Sequence, residues 1–303
     1  MAIYTRLGYR VRTSGIDSDK FVAKYKAINT ERAAYRERIS RPYTLKDTLQ
    51  WEEENLSPLA FKTRESIGRA RPEPERDPND QRTEFEHDAD RVAYARRFNR
   101  LSRKTQVFVD PNNDDIKTRI HHVLRVSRTA FDLCLYLRLN PFLAEAIGLA
   151  HDIGHAPFGH EGEKVLSKIS MRVLGKPFRH EWNSVRVLTW MEESEREPGI
   201  RGLNLSGVVI EGAKNHSGED RFRIMTPRPR PATYAEMVEC SDPKQKPATL
   251  EAVVTRFSDF LVYGSHDYQD GLDSGVFRID DRDRTTWQVR GRDLAHVNGG
   301  PEG

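Results

Sequence analysis

Ala150-His151-Asp152-Ile153-Gly154-His155-Ala156-Pro157-Phe158-Gly159-His160-Glu161-Gly162-Glu163 decides how this chain is read. It packs a His-Asp dipeptide, two further histidines and two glutamates into one short stretch. In the preceding run, Leu143, Ile147 and Ala150 recur at three- and four-residue steps, which predicts a buried helix from Pro141 to Leu149. His151 and Asp152 then fall in its last turn, and Gly154 ends it. Pro157 and the glycines at 154 and 159 predict an irregular loop carrying His155 and His160. Such a loop can turn several imidazoles into one cavity.

Imidazole nitrogens and carboxylate oxygens are ligands for divalent ions. A lone His-Asp pair is more often only a hydrogen bond, and the chain carries two others, His87-Asp88 and His266-Asp267. His87-Asp88 lies in a highly charged stretch, which predicts solvation. What distinguishes His151-Asp152 is the set of matching residues elsewhere. A helix is expected from about Lys117 to Arg138, with His122, Val126, Ala130, Leu133 and Leu137 as its inward stripe and Arg119 one turn before His122. Another is expected from Leu250 to Asp267, where Asp259, Tyr263 and Asp267 share one face at four-residue steps of ~6 Å. A third is expected from Glu84 to Ser102.

With 303 residues, length predicts one or two domains. Charged residues make up 31% of the chain and the mean hydropathy is −0.73. No run approaches the ~18 apolar residues of a membrane span. The N-terminus lacks the apolar core of a secretory signal. Two cysteines, Cys134 and Cys240, suggest neither a disulfide framework nor a zinc cluster; a cytoplasmic protein with no membrane partner is expected. The net charge of +3 is too small to argue for nucleic acid by itself. Lys20 to Arg38 could form a charged helix, and Arg69 to Asp80, rich in Arg, Glu and Pro, reads as a solvated loop.

Five ordered blocks together resemble the HD-domain phosphohydrolases, and within them the bacterial dGTPase or dNTP triphosphohydrolase branch. They are Phe98 to Phe108, Thr118-Arg119-Ile120-His121-His122, His151 to Glu163, Gly202-Leu203-Asn204-Leu205, and Ser258-Asp259 through Tyr263 to Leu272. The resemblance runs from about Ser57 to Gly275. It implies an all-α HD-domain fold with a charged N-terminal extension and irregular loops: residues 1–56 as extension, 57–275 as the phosphohydrolase domain and 276–303 as a polar tail.

The resemblance also implies roles. His122, His151, Asp152 and Asp259 would hold a divalent metal, Mg²⁺ or Mn²⁺ first, with Fe²⁺, Co²⁺ or Ni²⁺ as alternatives. His160 and Glu163 match the catalytic pair. Arg119, His155 and Lys214 would hold phosphate, against the plain alternatives of a surface salt bridge for Arg119 and a surface lysine for Lys214. Gln106, Val107, Tyr263 and Asp267 would contact the deoxyribose. His180 is a candidate beside the phosphates. Two positions depart from the family pattern: Ser102 stands where Gln is usual, and Asp259 is followed by Phe260 where a second acid is usual. The activity implied is hydrolysis of a dNTP to deoxynucleoside and inorganic triphosphate; a homo-oligomer is expected, and whether nucleic acid acts as a regulator stays open. Two alternatives stay open: an HD enzyme acting on another nucleotide, and a weakly catalytic nucleotide-sensing subunit. The second rests on relatives continuing through further helices where this chain has its polar tail.

Overall fold

A computed structural model describes residues 2–4, 10–12, 44–66, 68–73, 77, 80–106, 116–193, 199–217, 226–242, 245–273, 277–279 and 287–289, with side chains only within 44–264. The expected helix over 20–38 lies outside these residues. The chain forms two compact units, residues 1–48 with 78–81, and residues 49–77 with 82–303. In the first, strands β1 (Ala2–Tyr4) and β2 (Arg10–Arg12) pair antiparallel, with Ile3 opposite Val11. Helix α1 (Leu45–Asn55) also begins there, where Asp47 accepts from the Thr44 backbone N–H and hydroxyl.

The second unit is all-α in its main body. Its further helices are α2 (Glu84–Ala93), α3 (Arg96–Asn99), α4 (Arg119–Leu137), α5 (Pro141–Ala150), α6 (Gly159–Leu174), α7 (His180–Arg186), α8 (Gly207–Lys214), α9 (Tyr234–Val238) and α10 (Leu250–Asp273). A short hairpin, Phe277–Ile279 with Trp287–Val289, follows. Among the described residues no helix is long and apolar enough to cross a membrane.

Helix α5 is the hub, buried from Pro141 to Ala150 except at Phe142 and Glu145. Asn140 caps it by accepting from the N–H groups of Phe142 and Leu143. Leu143 and Ile147 join Phe61, Phe85, Val92, Leu188 and Ile210 in the main core. Gly148 lets α4 cross closely, since a Cβ there would lie 2.5 Å from the Ser127 Cα. On α4 the buried face runs His122, Val126, Ala130, Cys134. Leu137, expected inside, is exposed, because the helix ends there with Arg138 in the left-handed conformation.

Three expectations are corrected. The helix expected over 84–102 breaks after Ala93, and the Glu192 carboxylate takes the Arg97 backbone N–H at 2.9 Å, in place of the carbonyl one turn back. His87 and Asp88 are buried, not solvated. The partner that makes this affordable is Arg69, which ion-pairs with Asp88 and, at 2.5 Å, with Glu84, while Ser206 donates to Asp88 from both its N–H and its hydroxyl. Residues 69–73 are therefore docked, with Arg91 held by Glu73 and the Arg71 N–H by Asn204.

A second buried carboxylate, Glu251 on α10, ties this unit together. Its Oε1 accepts from the backbone N–H groups of Phe61 and Asn140, and its Oε2 is buried without a hydrogen-bond partner. Burial pushes this carboxyl up from 4.5 to about 7. A raised folded-state value means that the unfolded chain loses its proton first as pH rises. Folding therefore weakens between pH 4.5 and about 7, by on the order of 3 kcal/mol in all. Glu251→Gln keeps the accepting oxygen and cannot ionise. In urea denaturation the variant should gain on wild type by up to about 3 kcal/mol between pH 5 and pH 8. Parallel pH profiles for the two proteins would refute this account of Glu251.

Candidate metal and phosphate site

The His-Asp stretch is placed by one close contact. His151 is the C-cap of α5, and a tight turn carries the chain to Gly154. That turn presses on α7: a Cβ at Gly154 would lie 2.1 Å from the Ser184 backbone nitrogen. The Ser184 hydroxyl accepts from the Gly154 N–H at 3.0 Å and donates to the His151 carbonyl at 2.9 Å, and Asn183 donates to the Gly154 carbonyl at 2.7 Å. The loop then reaches Phe158, whose φ of 63° turns the chain into α6. His160 consequently sits in the first turn of α6 rather than in the loop, on the same turn as Glu163.

His122, His151 and Asp259 bring ligand atoms within 4.8 Å of one another. His122 Nε2 lies 2.8 Å from Asp259 Oδ1, although 137 residues separate them. His151 Nδ1 donates to the Gly148 carbonyl at 2.6 Å, which leaves Nε2 as the lone-pair nitrogen. That Nε2 is buried without a hydrogen-bond partner, 3.9 Å from Asp259 Oδ1 and 3.8 Å from Asp152 Oδ2. Burial pushes His151 down to about 4, so it is neutral at pH 7. A buried imidazole lone pair facing two carboxylates is chemistry that fits a divalent cation. Burial works against charge on Asp259, but the His122 hydrogen bond and His151 outweigh it and hold the carboxyl near 2.

Asp152 faces two ways. Its Oδ2 takes a 2.5 Å ion pair from Arg119, which is buried and not on the surface. Its Oδ1 faces His180 and His216, at 3.9 and 3.7 Å. Burial would raise its pKa, but His151 and Arg119 hold it well below the usual carboxylate range. Asp152 thus forms metal-competent groups with His151 and His216, and with His155 and His180.

The remaining expected residues divide. His155 is buried beside His160, ring centroids 5.3 Å apart, and burial pushes it down to about 2. His160 is exposed, with Nδ1 3.6 Å from Glu163 Oε2. The same carboxylate is held more closely by His180, through Nδ1 at 2.9 Å and the backbone N–H at 2.8 Å. Gln106 is buried near Arg119, which reaches its carbonyl at 3.4 Å. Lys214 is buried at the end of α8, where its ammonium donates to the carbonyls of Met237 and Glu239. Tyr263 is partly exposed on α10. Val107 and the side chains of His266 and Asp267 lie outside the described residues.

Sequence reasoning missed His216. It follows the buried helix α8 as His151 follows α5, and each donates from Nδ1 to the carbonyl three residues back, Ala213 and Gly148 respectively. A histidine just past the end of a very apolar helix was the available signal. Lys104 was also missed: it donates to the His155 carbonyl at 2.6 Å, and burial lowers it to about 8.

Comparison with known proteins matches residues 119–260 to the family described as HD domain. Deoxyguanosinetriphosphate triphosphohydrolase-like proteins are similar along much of the chain. That of Caldanaerobacter subterraneus subsp. tengcongensis is 39% identical over 77% of this chain and 58% of its own length. That of Geobacter sulfurreducens is 40% identical over 80% and 56%, and that of Rhodopseudomonas palustris is 40% identical over 71% and 54%. The chain thus spans a little over half the length of these relatives.

The Gly154 contact predicts a large effect from a small substitution. Gly154→Ala should lower stability by ~1–3 kcal/mol, because its methyl can fit only if the turn and α7 separate. Urea denaturation checks this, and wild-type stability in the variant would show that the contact is not what fixes the turn.

Proposed function

The chain belongs to the HD-domain family, and from that premise we propose that it is a metal-dependent phosphohydrolase that cleaves deoxynucleoside triphosphates to deoxynucleoside and inorganic triphosphate. The observation that carries the hydrolytic reading is the buried, unpartnered His151 Nε2 facing the Asp152 and Asp259 carboxylates, beside a second group of His155, His160, His180 and Arg119. The finer choice of dNTP is supported by the names of the relatives, deoxyguanosinetriphosphate triphosphohydrolase-like proteins.

In this proposal His122, His151, Asp152 and Asp259 hold the ion, Mg²⁺ or Mn²⁺. When bound, it supplies Lewis-acid polarisation of a phosphoryl oxygen and activation of a water. Arg119 offers a guanidinium to phosphate from its place on Asp152. His155 is neutral and is assigned to the phosphate side of the site. His160, exposed at the start of α6, exchanges the proton with water or the leaving 5′-oxygen. Glu163 keeps a negative charge beside it. For Lys214 to reach phosphate it must leave the Met237 and Glu239 carbonyls. Gln106, Val107, Tyr263 and Asp267 are assigned to the sugar. We place this activity in residues 57–275, in a cytoplasmic homo-oligomer.

The test is incubation of dGTP, dATP, GTP and ATP with Mg²⁺ or Mn²⁺, with products separated by anion exchange. Intact triphosphate should be released from the deoxynucleotides in clear preference. Release of orthophosphate or pyrophosphate, or equal use of ribonucleotides, would overturn the dNTP assignment. Two histidine variants test the division of labour. His160→Ala should keep its Mn²⁺ affinity and lose ~10²–10⁴-fold in rate. His122→Ala should lose both, measured by calorimetric titration and turnover. Equal loss of Mn²⁺ affinity in both variants would show that the roles are wrongly divided.

A further inference from the structure

Lys104 lies against the phosphate side of the cluster, where neither the metal ligands nor the catalytic pair makes use of it. Its ammonium donates to the His155 carbonyl at 2.6 Å, and its own carbonyl accepts from the Arg119 N–H at 3.0 Å. It thus joins the loop that carries His155 to the helix that carries Arg119. The residue is half-buried, so it stays within reach of a ligand from solvent.

Charge makes Lys104 more than a tie between two segments. Among the described residues its ammonium has a neutral carbonyl as its one hydrogen-bond partner and makes no ion pair. Arg119, Arg100 and Arg97 add like charge around it, against Asp152. Arg119 by contrast is matched by the Asp152 carboxylate. A partly desolvated ammonium among guanidiniums is costly unless an anion joins it. Two of its three N–H groups are left for that anion.

The backbone indicates what kind of anion fits. Lys104 is extended, with φ −99° and ψ 134°, and Thr105 pairs antiparallel with Thr118. Side chains two apart on an extended segment leave it on the same side, so Lys104 and Gln106 share a face. Gln106 Oε1 is buried without a hydrogen-bond partner. The start of α6 approaches the same segment, since a Cβ at Gly159 would lie 3.6 Å from Arg119 Nη2 and from the Gln106 carbonyl oxygen. A cation and an unsatisfied amide oxygen, with backbones ~6–7 Å apart, suit a ligand that carries an anionic part and a hydroxyl.

We propose that Lys104 is a substrate-binding residue of the hydrolase, its ammonium taking an oxygen of the triphosphate while Gln106 receives a sugar hydroxyl. The inference rests on the phosphohydrolase reading and adds to it a cation that grips the leaving triphosphate.

The test is binding of inorganic triphosphate to the full chain at constant free Mn²⁺, by calorimetry at several salt concentrations, for wild type, Lys104→Met and Lys104→Arg. Lys104→Met should weaken binding by ~10–100-fold, the effect of one hydrogen bond between charged groups, and should flatten its salt dependence. Lys104→Arg should restore most of both. Wild-type affinity in Lys104→Met would overturn the proposal. So would a loss that keeps the wild-type salt dependence and is not restored by Lys104→Arg, which is the result a mere tie to the His155 loop would give. Should Lys104→Met not fold, acetylation of wild type with peptide mass spectrometry decides. Saturating triphosphate should then shield Lys104 and leave the exposed Lys168 labelled; equal labelling of Lys104 with and without triphosphate would overturn the proposal. A wild type that binds triphosphate through Lys104 but releases none from deoxynucleotides would leave the role of Lys104 standing and remove the dNTP activity.

Discussion

The contact on which the site depends is the close approach of the 151–154 turn to the start of α7. Gly154 admits it because it has no Cβ, and Ser184 and Asn183 fasten it through three hydrogen bonds to backbone groups. Backbone groups in a turn at the end of a buried helix would otherwise be stranded without partners. The contact fixes the direction in which His151 and Asp152 leave α5, and it sets His180, on the same helix as Ser184, beside Asp152. One steric constraint thus positions both ends of the histidine cluster.

Charge at the centre is tolerated because each of these carboxylates has a partner. Asp152 ion-pairs with Arg119, while Asp259 and Glu163 are hydrogen-bonded by His122 and His180. The imidazoles answer burial differently: His151 and His155 lose their protons, to about 4 and about 2, and stay neutral. Neutral imidazoles between ionised carboxylates form an electron-rich pocket suited to a cation. The same rule governs Arg69 with Asp88, away from the cluster, where the charges are matched within the protein and Ser206 completes the Asp88 hydrogen bonds.

Much of this was legible in the sequence, for local reasons. Apolar steps of three and four gave α5 and most of α4, and they put His122 on the inward face that meets Asp259 of α10. Helix phase shows which way a side chain points, and ordered motifs supplied its distant partner. What was not legible depends on partners that no spacing encodes. His87-Asp88 looked solvated because its neighbours are charged, and Arg69, in a segment that read as loop, is what buries it. Glu163 was expected to serve His160, but the chain returns at His180 and takes the carboxylate at 2.9 Å. His216 lay beyond a recognised helix end, and only the fold shows its nitrogen returning to Asp152.

The divalent ion proposed for the buried His-Asp cluster can be sought by anomalous diffraction at the manganese edge, from crystals of the full chain grown with Mn²⁺. A strong peak is expected within bonding distance of His122 Nε2, His151 Nε2 and an Asp259 oxygen. Density showing His122 still hydrogen-bonded to Asp259, with no anomalous peak at His151 Nε2, would contradict it.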